Sequence, residues 1–338
     1  MPAALTRSII YTVVSVALLV VALSLLVPPV AADDLPDEGD GSEANPYVIT
    51  DATELQAMAE APDANYVLGQ DIDATETRQW NSSRGFQPVE DFTGTLDGQG
   101  HTIDGLVIDR PGDDRVGLFA RSEGTVENVA LEAADVRGGD DIGILIGYNA
   151  GEVRNVSASG TIEGVEDVGG LVGQGDGTIV GAAAAVEVSG KNVGGLIGYL
   201  EEDGEVAESR ATGDVSGDLP AGGLVGVDYG YVVGSYATGD VEGNGDVGGL
   251  VGALLQGDSE AVIKDSYATG DVRGSENVGG LVGGNGRSLG TVASSYAVGE
   301  VTGDDQVAGL VGDNNRAGGR TLNGDILDSY CPVVSTSQ

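Results

Sequence analysis

Cysteine, histidine and tryptophan occur once each in 338 residues, and Lys191 and Lys264 are the only lysines. A single cysteine, Cys331, excludes an intramolecular disulfide framework. With only His101, no histidine pair exists to hold a metal. His101 and Trp80 are therefore read as turn or packing residues, and Cys331, with no histidine partner in a plausible setting, is not read as a nucleophile. Fifteen basic residues face fifty-four acidic ones, a formal charge of −39. No basic stripe exists to meet phosphates, which excludes nucleic acid as a partner. After residue 27 no apolar run is long enough to span a bilayer.

What is present is acid, glycine and a hydrophobic fraction of 41%. That fraction is too high for a disordered acidic tail. Acid spread along a foldable chain with almost no lysine fits solubility in very high salt, where the Debye length shrinks to ~3 Å and self-repulsion is screened. The composition points to an extreme halophile. At the N-terminus, Arg7 precedes the apolar run 9–27, and Val30, Ala31 and Ala32 close it ahead of Asp33. This pattern reads as a secretory signal over 1–32, cleaved after Ala32; the run is also long enough for an uncleaved anchor. Either way the chain is expected to be exported, and to touch membrane only through this segment.

Residues 33–44 are acidic and read as a flexible linker. Asp51 with Glu54 then begins a short amphipathic helix, with Leu55, Met58 and Ala59 on one face and Pro62 as its stop. Residues 45–110 are expected to form an N-terminal cap and the first coils. Beyond them a hexapeptide, "VGGLVG" at 168–173, returns with its Leu at 118, 145, 171, 196, 224, 250, 281 and 310. The next residue is apolar in every copy, and a small residue follows it. Between these copies runs "SYATGDV" (235–241, 266–272) with variants at 209–215 and 295–301; earlier units carry degenerate versions. Units of 25 to 31 residues made of short β-rich pieces cannot bury an apolar face alone, but stacked neighbours can. The fold class is therefore all-β, a parallel β-helix whose eight units over 111–330 make a rod ~40 Å long. The 51–60 helix would cover its open N-terminal edge. Residues 331–338 read as a short tail.

Gly170-Leu171-Val172-Gly173, Gly195-Leu196-Ile197-Gly198 and their later copies resemble the GLUG-motif repeat proteins. The lead-in "NPYVIT", "YVLGQDID", Trp80 and "FTGTLDGQGHTIDGL" is similar too, so the likeness covers most of 45–330. It implies a right-handed β-helix on secreted or surface-attached proteins, and it supplies no catalytic residues. Two departures stand out. Ile144 replaces the first glycine in the second unit, and the last "SY" strand, at Ser329–Tyr330, stops short.

Glycine-rich loops that cradle phosphate need a lysine or a following helix, and neither is here. Carboxylates recur as one column, Asp214, Asp240, Asp271 and Glu300, and as a second set, Asp141, Asp167 and Asp246 with Asn192 and Asn277. Both are periodic, whereas an active site is normally one irregular constellation, so turn chemistry is the simpler reading. The same periodicity argues against specific calcium sites, because the nonapeptide calcium repeat is not reproduced. Tyr236, Tyr267, Tyr296 and Tyr330 would form an outward aromatic stripe, fit for self-stacking foremost and for a sugar ring as a second use. Asn81 and Asn155 sit in glycosylation acceptor sequences. No cofactor is called for. The expected function is a non-enzymatic, extracellular or cell-surface structural and adhesive module, with a glycan or another surface protein as partner. The alternative is a β-helix lyase or hydrolase acting on extracellular polysaccharide. One puzzle concerns the hexapeptide itself: Leu and its apolar neighbour should face opposite ways along a strand. Either the strand bends so that both point inward, or an apolar seam lies outside.

Overall fold

A computed structural model describes residues 35–285, 290–314, 326–327 and 329. The segment 1–32, Tyr330, Cys331 and the tail 331–338 lie outside the described residues. From residue 35 the chain winds as a parallel β-solenoid. Among the described residues three sheets hold eleven, seventeen and eight strands. One coil visits the first sheet at Thr178–Val180, the second at Ala183–Gly194 and the third at Ile197–Leu200. Each strand pairs in parallel with its equivalent one coil away, as Val153↔Ile179 and Ile179↔Val206 illustrate. Strands of the second sheet reach thirteen residues at Ser157–Gly169, longer than the pieces expected from sequence.

The interior is a set of aliphatic ladders. Ile179, Val206 and Val232 face inward from the first sheet, Val188, Val215 and Val241 from the second, and Val172, Ile197 and Val225 from the third. The motif leucines Leu171, Leu196 and Leu224 are fully buried beside them. Aromatic residues fill the N-terminal coils, where Phe92 and Phe119 lie 4.4 Å apart and Trp80 stacks on Phe86.

The short helix begins as expected. Asp51 accepts the Glu54 backbone N–H at 2.9 Å, and Glu54 in turn accepts the Thr50 N–H. Helix Ala52–Ala57 tightens into a 3₁₀ turn at Met58–Glu60, which shifts the buried face. Ala52, Leu55, Ala57 and Met58 are buried, while Ala59, expected on that face, is exposed. Gln56 carries the capping role. Its side-chain amide donates to the Gln87 carbonyl and accepts the Gln87 N–H, standing in for a peptide unit of a neighbouring strand. The segment it pairs with continues the third sheet, since Val89 and Phe92 bridge Phe119 and Ser122. The acidic lead-in, expected to be flexible, is held from residue 38 on: the Glu38 carbonyl accepts Val48 N–H and the Gly41 carbonyl accepts Asn65 N–H.

The hexapeptide puzzle resolves at a bend. Gly170–Leu171 forms the corner between second and third sheets, so Leu171 and Val172 both point inward and no outer seam exists there. The glycines are required by backbone contact. A Cβ on Gly170 would lie 2.2 Å from the carbonyl oxygen of Gly195. A Cβ on Gly198 would lie 2.5 Å from the carbonyl carbon of Asp167, one coil earlier. Ile144 stands fully buried at the first-glycine position, and the coil after it carries Gly160 at the register of Val186, the side chain nearest Gly170.

Candidate functional site

The outer face of the second sheet is built by strict alternation. In the unit 235–241, Ser235, Ala237 and Val241 are buried while Tyr236, Thr238 and Asp240 point outward. Stacked copies turn each outward residue into a row. Tyr236, Tyr267 and Tyr296 form an offset stack with ring centroids 4.8 and 5.1 Å apart and planes within 5°. Both faces of Tyr267 are therefore covered by tyrosine. Upstream, the row passes to Arg210. A sugar packing on this stripe would meet ring edges, which lack the electron-rich face that favours such contact. Tyr330 lies outside the described residues.

Beside the tyrosines runs the acid row. Asp240 N–H donates to the Asp214 carboxylate at 2.9 Å, Asp271 N–H to Asp240 at 2.8 Å, and Glu300 N–H to Asp271 at 2.9 Å. One carboxylate oxygen per residue is thus engaged in the ladder, and the exposed side chains line a groove of about 710 Å³. Thr161, Glu187, Asp214, Asp240 and Asp271 line it, with Arg137 and Arg273 toward its two ends. The row faces outward with many acids, so the groove repels anionic ligands and suits hydroxyl-bearing or cationic ones. Beneath it a buried serine ladder, absent from the sequence reading, ties the coils. Ser209, Ser235, Ser266 and Ser295 each donate the backbone N–H to the hydroxyl one coil on, at 3.1 to 3.2 Å.

The second acidic set sits at the corner before the hexapeptide. Asp141, Asp167, Asn192 and Asn277 all adopt positive φ, between 47° and 60°. This is the left-handed backbone that Asp and Asn tolerate best, as turn chemistry required. Asp246 lacks that conformation and accepts a hydrogen bond from the Asn277 side chain. The corner becomes irregular near its start, where Arg115 approaches Asp141 at 3.7 Å beside Asp114, Asp140, Glu166 and Asp167. Burial pushes Asp167 up to about 6, against the hydrogen bond from Asn192 that lowers it. Burial raises Asp141 too, against the pull of Arg115. Split carboxyl protonation is what acid–base catalysis uses. Yet Asn192 and Asn277, which cannot exchange protons in that way, fill the same corner position in later coils.

A third cluster escaped the sequence reading. Arg121, Tyr148, Gln174 and Tyr199 form one outward row of the third sheet. Each lies three residues after a motif Leu, so the register alone would have found them. Arg121 and Arg115 sit 5.5 and 5.9 Å from the Tyr148 ring centre. Glu201 accepts from the Tyr148 hydroxyl at 3.1 Å and from Gln174. Burial, then Glu201, pushes the Tyr148 hydroxyl up to about 12. The network is satisfied within itself. Further along the same strand set, Asp228 is fully buried; its Oδ1 accepts the Gly230 N–H at 2.9 Å, and among the described residues Oδ2 has no partner. Burial pushes it up to about 7.

The remaining sequence candidates occupy turns. His101 pairs with Asp71 at 3.0 Å. Asn81 donates its side-chain amide to the Gly85 carbonyl, and Asn155 donates to Asn128. Both acceptor nitrogens are thus hydrogen-bonded in exposed, positive-φ turns.

Comparison with known proteins follows the same lines. The GLUG motif matches residues 189–216 and 243–273. The chain is 38% identical over 193 residues to halomucin of Haloquadratum walsbyi, a stretch that is 53% of this chain and 2% of halomucin. It is 37% identical over 130 residues to a protein of Evansella cellulosilytica provisionally named a Gly-rich membrane protein, covering 35% of this chain and 15% of that one. The chain thus spans a small part of the curated relatives it matches. Among solved structures, a protein of Bacteroides ovatus provisionally described as an immunoglobulin A1 protease aligns over 90% of this chain and 89% of its own, with a TM-score of 0.58 and 21% identity. That likeness is one of fold alone.

Proposed function

We propose that this GLUG-repeat β-solenoid is a non-enzymatic structural and binding module of the cell surface, exported by an extreme halophile. The observation that carries the reading is periodicity: the tyrosine, carboxylate and serine rows recur once per coil and are bonded to their own neighbours. Such rows extend a scaffold and offer a repeating surface, whereas chemistry on one bond needs one singular constellation. Similarity to halomucin supports a surface setting in high salt, as does the charge of −39. The partner is a neutral extracellular glycan lying along the acidic groove, its hydroxyls donating to the carboxylate oxygens left free by the ladder. Ring faces of the tyrosine stack contribute little, since they cover one another.

The test is a glycan array probed with the folded protein at high salt. Retention of neutral glycans should fall in an Asp240→Asn, Asp271→Asn double variant whose circular dichroism is unchanged, and persist in Tyr267→Ala. Absence of any glycan retention by the parent protein would sink the ligand assignment. The polysaccharide-cleaving alternative draws on the raised Asp167 beside Arg115. Cleavage of a polysaccharide that Asp167→Asn abolishes would replace the binding reading with it.

A further inference from the structure

The first sheet presents an outer face unlike the others. Its middle residues point inward, and the flanking residues of each strand make two outward rows. From Thr95–Asp97 to Thr291–Ala293 these rows carry Asp97, Glu127, Glu152 and Glu205 against Arg154 and Lys264. Four acids to two cations is a milder excess than the chain's fifty-four to fifteen. At its centre Val180, Ala207 and Val233 stand in consecutive coils, half-buried, with Tyr231 36% exposed beside them. The second sheet, by contrast, gathers Glu187, Asp214, Asp240, Asp271 and Glu300 in one row, with Arg137 and Arg273 far apart in the row beside it.

The geometry points to this face as a contact between two copies of the chain, packed antiparallel about a two-fold axis. The register is self-complementary. Place the axis in the contact plane, along the strands, between Val180 and Ala207. Glu127 and Lys264 then stand on opposite sides of it at equal distance, two and a half coils or ~12 Å. Each Glu127 meets Lys264 of the other copy, in the same row. Glu152 falls opposite Tyr231, Glu205 opposite Thr178, and Arg154 opposite Val233, so no like charges face each other. Applied to the acidic row of the second sheet, the same operation sets acid against acid. An isologous pair requires this kind of self-matching patch. A face eight strands long and three residues wide buries on the order of 400 Å² per copy, about half of a standard interface. The contact is accordingly weak for an isolated pair and gains strength where copies are held close together on a surface. It is independent of what the acidic groove binds.

Sedimentation of the full chain, in the lowest salt that preserves its β-sheet circular dichroism, tests the pairing. The parent protein should show a concentration-dependent monomer–dimer equilibrium. Lys264→Glu and Glu127→Lys should each weaken it by about tenfold, because two symmetric pairs turn repulsive, and the double variant should restore it. Both positions are solvent-facing, and dichroism checks that the variants fold. A monomer at every concentration overturns the proposal. So does association that ignores both single changes, as contact through the N-terminal apolar segment would, or single-variant losses that the double does not repair.

Discussion

Two motifs recur once per coil, and they tolerate variation very differently. The hexapeptide holds its pattern through eight copies, whereas "SYATGDV" is crisp only in the later coils. The structure supplies the cause. At the hexapeptide bend, backbone rests on backbone: Gly170 faces the carbonyl of Gly195, and Gly198 faces the Asp167 corner. At Gly170 and Gly198 there is no room for a side chain. On the outer wall of the second sheet, coils are joined by short backbone pairings and by serine and aspartate side chains that accept backbone N–H groups of the neighbouring coil. Arg210 can precede the tyrosine stack and Glu300 can end the aspartate row without changing the coil. A repeat protein therefore fixes the residues that let coils approach, and varies those that decorate the approach.

The sharpest way to break this contrast is Gly198→Ala. A methyl group 2.5 Å from the Asp167 carbonyl carbon cannot be relieved by a rotamer, and the expected loss is about 3 kcal/mol or more, read by denaturant unfolding. A buried acid on the next strand of the same sheet comes next. Asp228 is held as the neutral acid, its value raised to about 7 from 3.8. Its contribution is fully present below pH 3.8 and is lost as pH rises through about 7. Asp228→Asn should therefore be the more stable protein above pH 8, by up to about 4 kcal/mol, with the advantage vanishing near pH 4. A thermal melt series that shows no such crossing would place the carboxylate in a solvated setting.

Smaller effects belong to the decorated wall. Ser266→Ala removes the acceptor of the buried Ser235 N–H, at a cost of about 1–2 kcal/mol. Tyr267→Ala opens the middle of the ring stack and should cost about 1 kcal/mol, the least of the four. If Tyr267→Ala proved as damaging as Gly198→Ala, the division between bend and wall would fail.

Much of this was legible in the residues. The period gave the parallel solenoid, Asp51 and Glu54 gave the helix start, and the alternation in "SYATGDV" gave the outward tyrosines. Periodic Asp and Asn signalled the left-handed corners at Asp141, Asp167, Asn192 and Asn277. Ala59 was misplaced because a helix tightening to 3₁₀ rotates its buried face, which sequence spacing does not announce. The Tyr148 cluster was missed because its members are 25 to 27 residues apart and differ in type; only register unites them. The serine ladder was seen as small residues and not as acceptors, since hydroxyl direction depends on the neighbouring coil.

The sequence by itself determined the coil: where it turns, which residues fill it, and that its neighbours must be copies of itself. Only the tertiary structure decided what each face became. Side chains of one type, spaced a coil apart in the chain, are brought to about 4.8 Å by stacking, and at that distance rows of tyrosine cover one another while rows of acid share backbone donors. It also decided that Glu127 and Lys264 share one row of the first sheet while Glu187, Asp214, Asp240 and Asp271 share one row of the second. Net charge is a property of composition, but its separation into a repelling face and a self-matching one exists only once the coils are in register.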